Sequence, residues 1–278
     1  MKNSLVEEKV YRAEECNLCG STNYRKVHYF KEWNFSRDPV RDVSIIQCRN
    51  CKVRRRMPGI MDDYEAEYHA PYMDQGQTIH AHQLYHFGDL MTARVRQFTE
   101  KNLKFLDVGC STGRALRLAA TMGFEATGLD FSSWATDYCS KLGFTTRHGS
   151  LIGQWKESEV FDIIHCCHTI EHVPDPVAYL REMHRLLKPN GQLMLACPNY
   201  ASLSRLALKE KWIWCLDSHL WQFTAKQMRS LLMASGFKIV SARTHHGLSP
   251  NKRWKKWLLD TSAALGFADG LNIIAMRR

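Results

Sequence analysis

The stretch Leu106-Asp-Val-Gly-Cys-Ser-Thr-Gly-Arg114 decides the fold of this chain. An apolar run leads into it and a helical pattern follows it, so its glycines lie at the carboxyl end of a strand, where α/β folds bind ligands. The glycines stand at 109 and 113 only and no Gly-Lys-Ser/Thr occurs, which excludes a Walker loop and the G-x-G-x-x-G dinucleotide fingerprint. Asp107 would repel a phosphate, so the loop favours a ligand with cationic and hydrogen-bond-donor groups. Gly109 and Gly113 let the backbone approach that ligand closely.

A second acidic residue follows the next apolar run. Asp130 lies in Gly128-Leu-Asp-Phe-Ser132, 23 residues after Asp107. A carboxylate at the end of that strand can accept hydrogen bonds from both hydroxyls of a ribose. An amino-acid group at Asp107 and a ribose at Asp130 together describe S-adenosylmethionine. The alternative is a strand–helix–strand unit with two surface acids at its loop ends.

From Lys104 onward, short apolar runs alternate with helical segments, which predicts an α/β fold with a parallel sheet flanked by helices. Capping residues, Pro176 at a helix start and glycines at helix ends give the helix limits. The predicted strands are 105–108, 126–130, 161–167, 192–197, 238–242 and 271–276, and the predicted helices lie within 113–123, 132–143, 176–187 and 224–236.

Residues 96–278 resemble the class I S-adenosylmethionine-dependent methyltransferases. The glycine loop and Gly128–Ser132 are similar to the first two motifs of that family. Phe161-Asp-Ile-Ile-His-Cys-Cys-His-Thr-Ile-Glu-His-Val-Pro-Asp175 is similar to its fourth-strand motif, and Leu186-Leu-Lys-Pro-Asn-Gly-Gln-Leu193 to the turn into its fifth strand. The resemblance implies a Rossmann-like, seven-stranded, mostly parallel sheet whose last strand, 271–276, runs antiparallel.

The resemblance also implies that S-adenosylmethionine is the methyl donor. In the family, an acid after the third strand contacts the adenine amine, but here His148-Gly-Ser-Leu151 stands in that place, so backbone contacts are expected there instead. The implied donor-binding residues are Asp107, Gly109, Cys110, Ser111 and Gly113 around the methionine and ribose, Asp130 at the ribose hydroxyls, Phe131, Ser150 and Leu151 at the adenine, and His168 near the sulfonium.

Four of the ten cysteines form two Cys-x-x-Cys pairs, Cys16/Cys19 and Cys48/Cys51. Two such turns supply four thiolates at tetrahedral distance for a closed, structural Zn²⁺ site. The aromatic and β-branched segment between the pairs predicts the strands of a zinc ribbon, and a ribbon this small depends on its metal. The alternatives are a redox pair or coincidence. Most of the other six cysteines lie in apolar runs and are predicted to be core residues.

The sequence divides into three predicted parts. These are a small N-terminal zinc ribbon (1–60), a helical linker or lid (61–100, with a helix at 77–100) and a methyltransferase domain (101–278). The ribbon also resembles that of some small-molecule and sugar methyltransferases.

The segment 199–224 follows the fifth strand, where this family builds its acceptor pocket. His219 is the candidate general base, because histidine titrates near neutral pH and can take a hydroxyl proton, and Asp217 is placed to orient it. This stretch resembles the Asp-x-His-x-x-x-Phe-Ser stretch of sugar methyltransferases. The alternative is that His219 only makes hydrogen bonds within the segment, and His172 is predicted to be structural. Three tryptophans are predicted to form aromatic pocket walls: Trp212, Trp214 and Trp221.

The net charge of +10 is concentrated at the C-terminal end, where residues 201–278 hold 13 Lys and Arg against 4 Asp and Glu. Such a region raises the local concentration of anionic partners. Residues 252–260 predict an amphipathic helix with Trp254 and Trp257 on one face. No apolar run approaches the ~18 residues of a membrane span and the start is polar, which predicts a cytoplasmic protein.

The favoured interpretation is a methyltransferase that acts on an O or C atom of a small, anionic or sugar-like acceptor, phosphate- or nucleotide-linked, in a biosynthetic pathway. The alternative is an RNA methyltransferase that uses the zinc ribbon and the basic C-terminal region to bind nucleic acid. Residues 1–60 are not strongly basic and carry no RNA-stacking signature, which argues against nucleic acid. A protein methyltransferase and a non-catalytic scaffold rank below these. His168-Thr-Ile-Glu171 stands where exocyclic-amine methyltransferases carry Asn/Asp-Pro-Pro-Tyr/Phe, which argues against the type that methylates adenine N6 or glutamine. The sequence does not predict the oligomeric state.

Overall fold

The computed structural model describes residues 15–30, 43–57, 102–209, 212, 214, 219–246 and 260–278. The predicted linker or lid, the helix at 77–100, Asp217 and residues 252–259 of the predicted C-terminal helix lie outside the described residues. Among the described residues, no helix has the length and apolarity that a bilayer crossing requires.

The described chain alternates strands with helices over most of its length. The strands are β1 (Tyr24–Phe30), β2 (Val43–Cys48), β3 (Arg54–Met57), β4 (Lys104–Val108), β5 (Glu125–Asp130), β6 (Thr145–His148), β7 (Phe161–Cys167), β8 (Leu187–Pro198), β9 (Trp221–Gln222), β10 (Phe237–His245) and β11 (Gly270–Arg277). The helices with both ends described are α1 (Arg114–Thr121), α2 (Ser133–Lys141), α3 (Pro176–Leu186), α4 (Leu203–Leu208) and α5 (Ala225–Ala234).

Seven of these strands form one sheet in the order β10-β11-β8-β7-β4-β5-β6. The strands from β4 to β8 pair in parallel, while β11 is antiparallel to both β8 and β10. The predicted Rossmann-like, mostly parallel sheet with an antiparallel last strand is therefore confirmed. The strand order reverses at β4, whose neighbours are β5 and β7, and ligands bind at such a switch point in open α/β sheets.

Helices cover both faces of this sheet. Leu116 and Ala119 of α1 and Cys139 of α2 pack on one face, in a cluster with Phe105. Helices α3 and α5 pack on the other face, in a larger cluster that includes Leu106. Phe105 and Leu106 point to opposite faces because side chains alternate along a strand. The predicted helix starts are confirmed by side-chain caps at Ser132, Asp175 and Thr224.

Two details of the main sheet differ from the strands predicted by the apolar pattern. Strand β6 has no such pattern, because Thr145-Thr-Arg-His148 carries no apolar alternation and its side chains are exposed or half-buried; only the family resemblance implies a strand before His148. Strand β8 begins at Leu187 rather than at 192, so the predicted turn at 188–191 lies inside a strand whose register to β7 shifts between Phe161 and Ile163.

The N-terminal strands form a second, antiparallel sheet, β1-β2-β3, and this sheet gains a fourth strand from much later in the chain. Arg55 of β3 pairs with Trp221 of β9. The amide of Gln227 donates to the Cys51 carbonyl across the same junction at 3.4 Å. Cys16 and Cys48 are buried in the larger cluster of the main sheet, so the two sheets share one core.

Candidate active site

The glycine loop turns sharply at the end of β4 and is held by backbone hydrogen bonds. The amides of Gly109 and Cys110 donate to the Leu129 carbonyl at 2.8 and 3.0 Å. Gly109 and Gly113 have φ of +83° and +70°, the left-handed region that favours glycine. Ser111 adopts φ +48° between them, a sparsely populated conformation of the kind found at functional sites.

Asp130 lies against this loop, at the end of β5. Its carboxylate accepts hydrogen bonds from the backbone amides of Ser111 at 2.8 Å and Ser132 at 2.9 Å, and the residue is 4% exposed. Burial raises the pKa of Asp130, against the lowering effect of the two amides. A carboxylate has about four acceptor sites, so two remain for a ligand.

Asp107, the other predicted ligand acid, faces a histidine that the sequence prediction missed. Nδ1 of His165 lies 2.7 Å from Oδ1 of Asp107, and the two residues are partners in the β4–β7 register. Burial opposes the charge on His165, but the Asp107 carboxylate outweighs it and raises the pKa of His165 to about 10. The protonated imidazole of His165 therefore balances the negative charge of Asp107. The sequence carries no signal for this contact, because the contact depends on the register between β4 and β7.

The predicted adenine residues follow β5 and β6. Phe131 is half-buried, and its carbonyl accepts a hydrogen bond from Nε2 of His148 at 2.8 Å. Ser150 and Leu151 both meet Tyr179 of α3: Ser150 Oγ lies 2.9 Å and the Leu151 amide 3.4 Å from its hydroxyl. Tyr179 was not singled out from the sequence.

The loop after β7 lies directly against the glycine loop. The Thr169 hydroxyl donates to the Val108 carbonyl at 3.0 Å, and a Cβ on Gly109 would stand 2.2 Å from that hydroxyl oxygen. His168 precedes it at φ +53°, with its ring stacked on Trp214 at 4.8 Å between centroids. Strain thus occurs at His168 as well as at Ser111, one on each side of the contact between the loops.

Glu171, His172 and His219 form a cluster at the end of this loop. Each offers one ligand atom, and these atoms all lie within 4.8 Å of one another. The rings of His172 and His219 meet edge to face at 4.7 Å. Glu171 is 1% exposed, and within the described part of the chain neither carboxylate oxygen has a hydrogen-bond partner. Nδ1 of His168 approaches Oε1 to 3.3 Å, but without hydrogen-bond geometry.

The electrostatics of this cluster fix its protonation states. Burial disfavours the charge on Glu171, but the surrounding histidines, His168 first, lower its pKa to about 2. Burial and the neighbouring His172 lower the pKa of His219 to about 3. Burial also opposes the charge on His168, while Cys167 and Glu171 raise its pKa to about 9. At neutral pH the cluster therefore holds an ionised Glu171 and a neutral His219.

Two of the three predicted aromatic walls are core residues instead. Trp212 is 2% and Trp221 is 3% exposed. Their indole N–H groups donate to Asp269 at 2.7 Å and to the Val173 carbonyl at 2.8 Å. The prediction was wrong for these two because a buried indole with a polar partner has the same sequence signature as a pocket wall. Trp214 is half-buried and lies beside His168.

A pair of cations flanks Tyr200, just after β8. The guanidinium of Arg205 lies 4.0 Å and that of Arg54 4.8 Å from the centre of its ring. Within the described residues no carboxylate pairs with either arginine, and burial lowers the pKa of Arg54. Positive charge is therefore concentrated where β3 meets the segment after β8.

The four paired cysteines come together as predicted. The sulfurs of Cys16 and Cys51, and those of Cys19 and Cys48, lie 3.6 Å apart, and all four are within 4.8 Å of one another. Tetrahedral Zn²⁺ with bonds of ~2.3 Å separates its thiolates by about 3.8 Å, so the residues fit this metal. Burial raises the pKa of the Cys48 thiol, but backbone amides led by that of Cys51 outweigh it and bring the value to about 7. Four of the other cysteines are buried, as predicted: Cys110, Cys139, Cys166 and Cys197.

Comparison with known proteins identifies relatives of this chain. A family model described as a methyltransferase domain matches residues 80–242. The ubiquinone biosynthesis O-methyltransferase of Pseudomonas aeruginosa (strain LESB58) is 32% identical over an alignment of 103 residues that covers 34% of this chain and 44% of that protein. The one from Pseudomonas syringae pv. tomato is 31% identical over an alignment of 122 residues that covers 40% of this chain and 53% of that protein. The chain thus spans about half the length of the curated relatives it matches.

A solved structure shares the fold. A chain of the Haloferax volcanii complex between the Trm112 methyltransferase activator and a methyltransferase aligns with a TM-score of 0.58 at 18% identity, over 77% of this chain and 97% of that one. At this identity the likeness concerns the fold alone.

Proposed function

Because the chain belongs to the class I S-adenosylmethionine-dependent methyltransferases, we propose that it transfers the donor's methyl group to a hydroxyl oxygen of a small acceptor. The observation that carries this proposal is the buried Glu171–His172–His219 cluster, which lies at the end of the loop that packs on the glycine loop. The relatives named as ubiquinone biosynthesis O-methyltransferases support oxygen as the methylated atom.

The donor binds along the carboxyl ends of β4 and β5 in this proposal. The free acceptor sites of Asp130 take the ribose hydroxyls, and the strained glycine loop brings its backbone against the methionine part. The proposed donor residues are Asp107, Gly109, Cys110, Ser111 and Gly113, then Asp130 and Phe131, Ser150 and Leu151 at the adenine, and His168 beside the sulfonium. His165 is a positioning residue, since its contact with Asp107 fixes that carboxylate.

Transfer from a sulfonium is an in-line displacement, so the protein mainly positions the acceptor and removes one proton. His219 is neutral at pH 7 and can take the hydroxyl proton as the new O–CH₃ bond forms. The S–CH₃ bond breaks and its electron pair stays on sulfur, which leaves a neutral thioether. The low pKa of His219 makes it a weak base alone, and the ionised Glu171 beside it stabilises the imidazolium.

The acceptor carries negative charge in this proposal. Arg54 and Arg205 present unneutralised positive charge around Tyr200, in the segment after β8 that this family uses for its acceptor. A phosphate- or nucleotide-linked acceptor would meet these guanidinium groups, which suit phosphate geometry.

We further propose that Cys16, Cys19, Cys48 and Cys51 hold a structural Zn²⁺. Four thiolates leave the ion no open position for catalysis, and the ion ties the turn before β1 to the turn between β2 and β3. The proposed division is a ribbon at 1–60, a linker or lid at 61–100 and a catalytic domain at 101–278, with β9 of the catalytic domain completing the ribbon sheet.

The test offers methyl-labelled donor and purified protein separately to the RNA, protein and small-molecule fractions of a cell extract. We expect label in small anionic metabolites, and a kcat about 100- to 10,000-fold lower for His219→Ala, the range typical of a lost general base. His184→Ala, in α3, is the matched control and keeps the wild-type rate. Label in RNA would favour the alternative, a nucleic-acid methyltransferase. Unchanged kcat in His219→Ala would remove the residue from the mechanism.

A further inference from the structure

Glu171, His172 and His219 present the side-chain chemistry of a metal site that is separate from the cysteine cluster. The three come from two distant parts of the chain, the loop after β7 and the segment before β9. One ligand atom from each lies within 4.8 Å of the others, and Glu171 and His219 are 1% and 2% exposed. Two imidazoles and one carboxylate form the donor set of several catalytic metal sites, which keep a position open for substrate.

The carboxylate of Glu171 lacks the hydrogen bonds that a buried charge needs. Both of its oxygens are shielded from solvent, and within the described residues neither accepts a hydrogen bond. A buried carboxylate without hydrogen bonds is strongly disfavoured, and such groups in proteins are paired or coordinate metals. His168 forms an ion pair with it, Nδ1 to Oε1 at 3.3 Å, but outside hydrogen-bond geometry, so both oxygens keep unused lone pairs. A cation between Glu171 and the two imidazoles would satisfy these oxygens.

His219 offers a buried ring nitrogen to an ion. Its Nδ1 is buried and has no hydrogen-bond partner in the described structure. In a neutral imidazole one ring nitrogen carries the lone pair that binds a metal. The Trp221 amide donates to the Glu171 carbonyl at 3.0 Å, and this ties the loop after β7 to the segment that carries His219.

We propose that Glu171, His172 and His219 bind one divalent transition-metal ion of the Zn²⁺ type. Imidazole ligands favour zinc, iron or nickel over Mg²⁺ and Ca²⁺, which prefer oxygen. The ion's role rests on the proposed function: its open position takes the acceptor hydroxyl and lowers the pKa of that group. The hydroxyl proton then leaves to water, the oxygen forms the bond to the methyl carbon, and sulfur keeps the electron pair of the broken S–C bond. In the metal-bound protein His219 is a ligand, and the role as base proposed above belongs to the protein without this ion.

The first test is metal content. Protein loaded with Zn²⁺ and freed of excess ion by gel filtration should hold about two ions per chain, one on the four thiolates and one on the new site. Glu171→Gln and His172→Gln should each hold about one ion. Loss of a residue that only hydrogen-bonds to a ligand already lowers metal affinity by roughly 10- to 100-fold, and loss of a ligand lowers it by at least as much. Glu125→Gln, at an exposed carboxylate at the start of β5, is the matched control and should keep both ions.

Cobalt substitution assigns the ions to their sites. The ribbon gives thiolate-to-cobalt charge-transfer bands, whereas a His₂Glu site gives only d–d bands. We expect Glu171→Gln to lose d–d intensity and keep the charge-transfer bands. Equal ion counts and equal cobalt spectra in wild type, Glu171→Gln and His172→Gln would overturn the proposal, provided that circular dichroism and donor binding show both variants to be folded.

Failure of this inference is distinguishable from failure of the proposed function. Protein that retains only the ribbon ion and still methylates at the wild-type rate would refute the second metal and leave the methyltransferase activity intact. A second ion that Glu171→Gln removes supports the metal site, even when none of the extract fractions accepts a methyl group.

Discussion

Replacing Gly109 with alanine tests the contact between the glycine loop and the loop after β7. The residue has φ +83°, and the new Cβ would stand 2.2 Å from Oγ1 of Thr169, whose hydroxyl donates to the Val108 carbonyl. A left-handed conformation costs a non-glycine residue about 1–2 kcal/mol. Overpacking a tight contact adds about 1–3 kcal/mol, so we expect Gly109→Ala to lower the free energy of unfolding by about 2–5 kcal/mol.

Gly123→Ala is the matched control for the backbone term. Gly123 has φ +86°, but nothing lies within 4 Å of the position of its Cβ, so only the cost of about 1–2 kcal/mol applies. Urea unfolding of both variants measures the difference, and calorimetric titration with S-adenosylmethionine measures donor affinity. Gly109→Ala should weaken donor binding while Gly123→Ala should not. Equal losses of stability in the two variants, with unchanged donor affinity in both, would contradict a tight contact between the two loops beside the donor.

Three further predictions concern the donor site, a buried ion pair and the ribbon. Asp130→Asn should weaken donor binding by about 10- to 100-fold, the worth of a hydrogen bond to a charged group, and unchanged affinity in titration calorimetry would contradict the ribose role. The folded-state pKa of His165, about 10, exceeds its ordinary value of 6.5. The pair with Asp107 therefore stabilises the folded protein fully below pH 6.5 and loses this effect as the pH rises through 10. Urea unfolding of the wild type should show this loss of stability, and urea unfolding of His165→Gln should not. Cys19→Ser should abolish zinc binding by the ribbon and speed hydrogen exchange at the Arg56 amide, which donates to the Leu220 carbonyl, whereas Cys139→Ser should change neither.

The elements that the sequence predicted are those with strong local signals. Strands β4, β7 and β11 are apolar runs that are mostly buried on both faces, and the capping box at Thr224 marks α5. Strand β6 was missed because it lies at the edge of the sheet, where it pairs only with β5 and needs no alternation of apolar residues. Strands β3 and β9 pair with each other although at least 165 residues of chain lie between the paired residues. Arg54-Arg-Arg-Met57 has no strand pattern of its own. Tertiary context overrides weak local preference at such places.

The residues of the candidate site also fall into two groups, those predicted from local sequence and those that meet only in the folded chain. The glycine loop, Asp130 and the four paired cysteines are read from spacing alone, because their chemistry depends on neighbours in the sequence. His165 opposite Asp107 and Glu171 beside His219 depend on which strands and segments lie side by side. Trp212 and Trp221 were misassigned because burial of an indole cannot be read without its partners, Asp269 and the Val173 carbonyl.

The most direct measurement for the whole account is a crystal structure of the protein with S-adenosylhomocysteine, the product left after methyl transfer. We predict that the ribose hydroxyls contact Asp130 and that the thioether sulfur faces His168 and the Glu171–His172–His219 cluster. A sulfur that points away from this cluster, or adenosine bound anywhere other than the carboxyl ends of β4 and β5, would contradict the assignment of the cluster to methyl transfer.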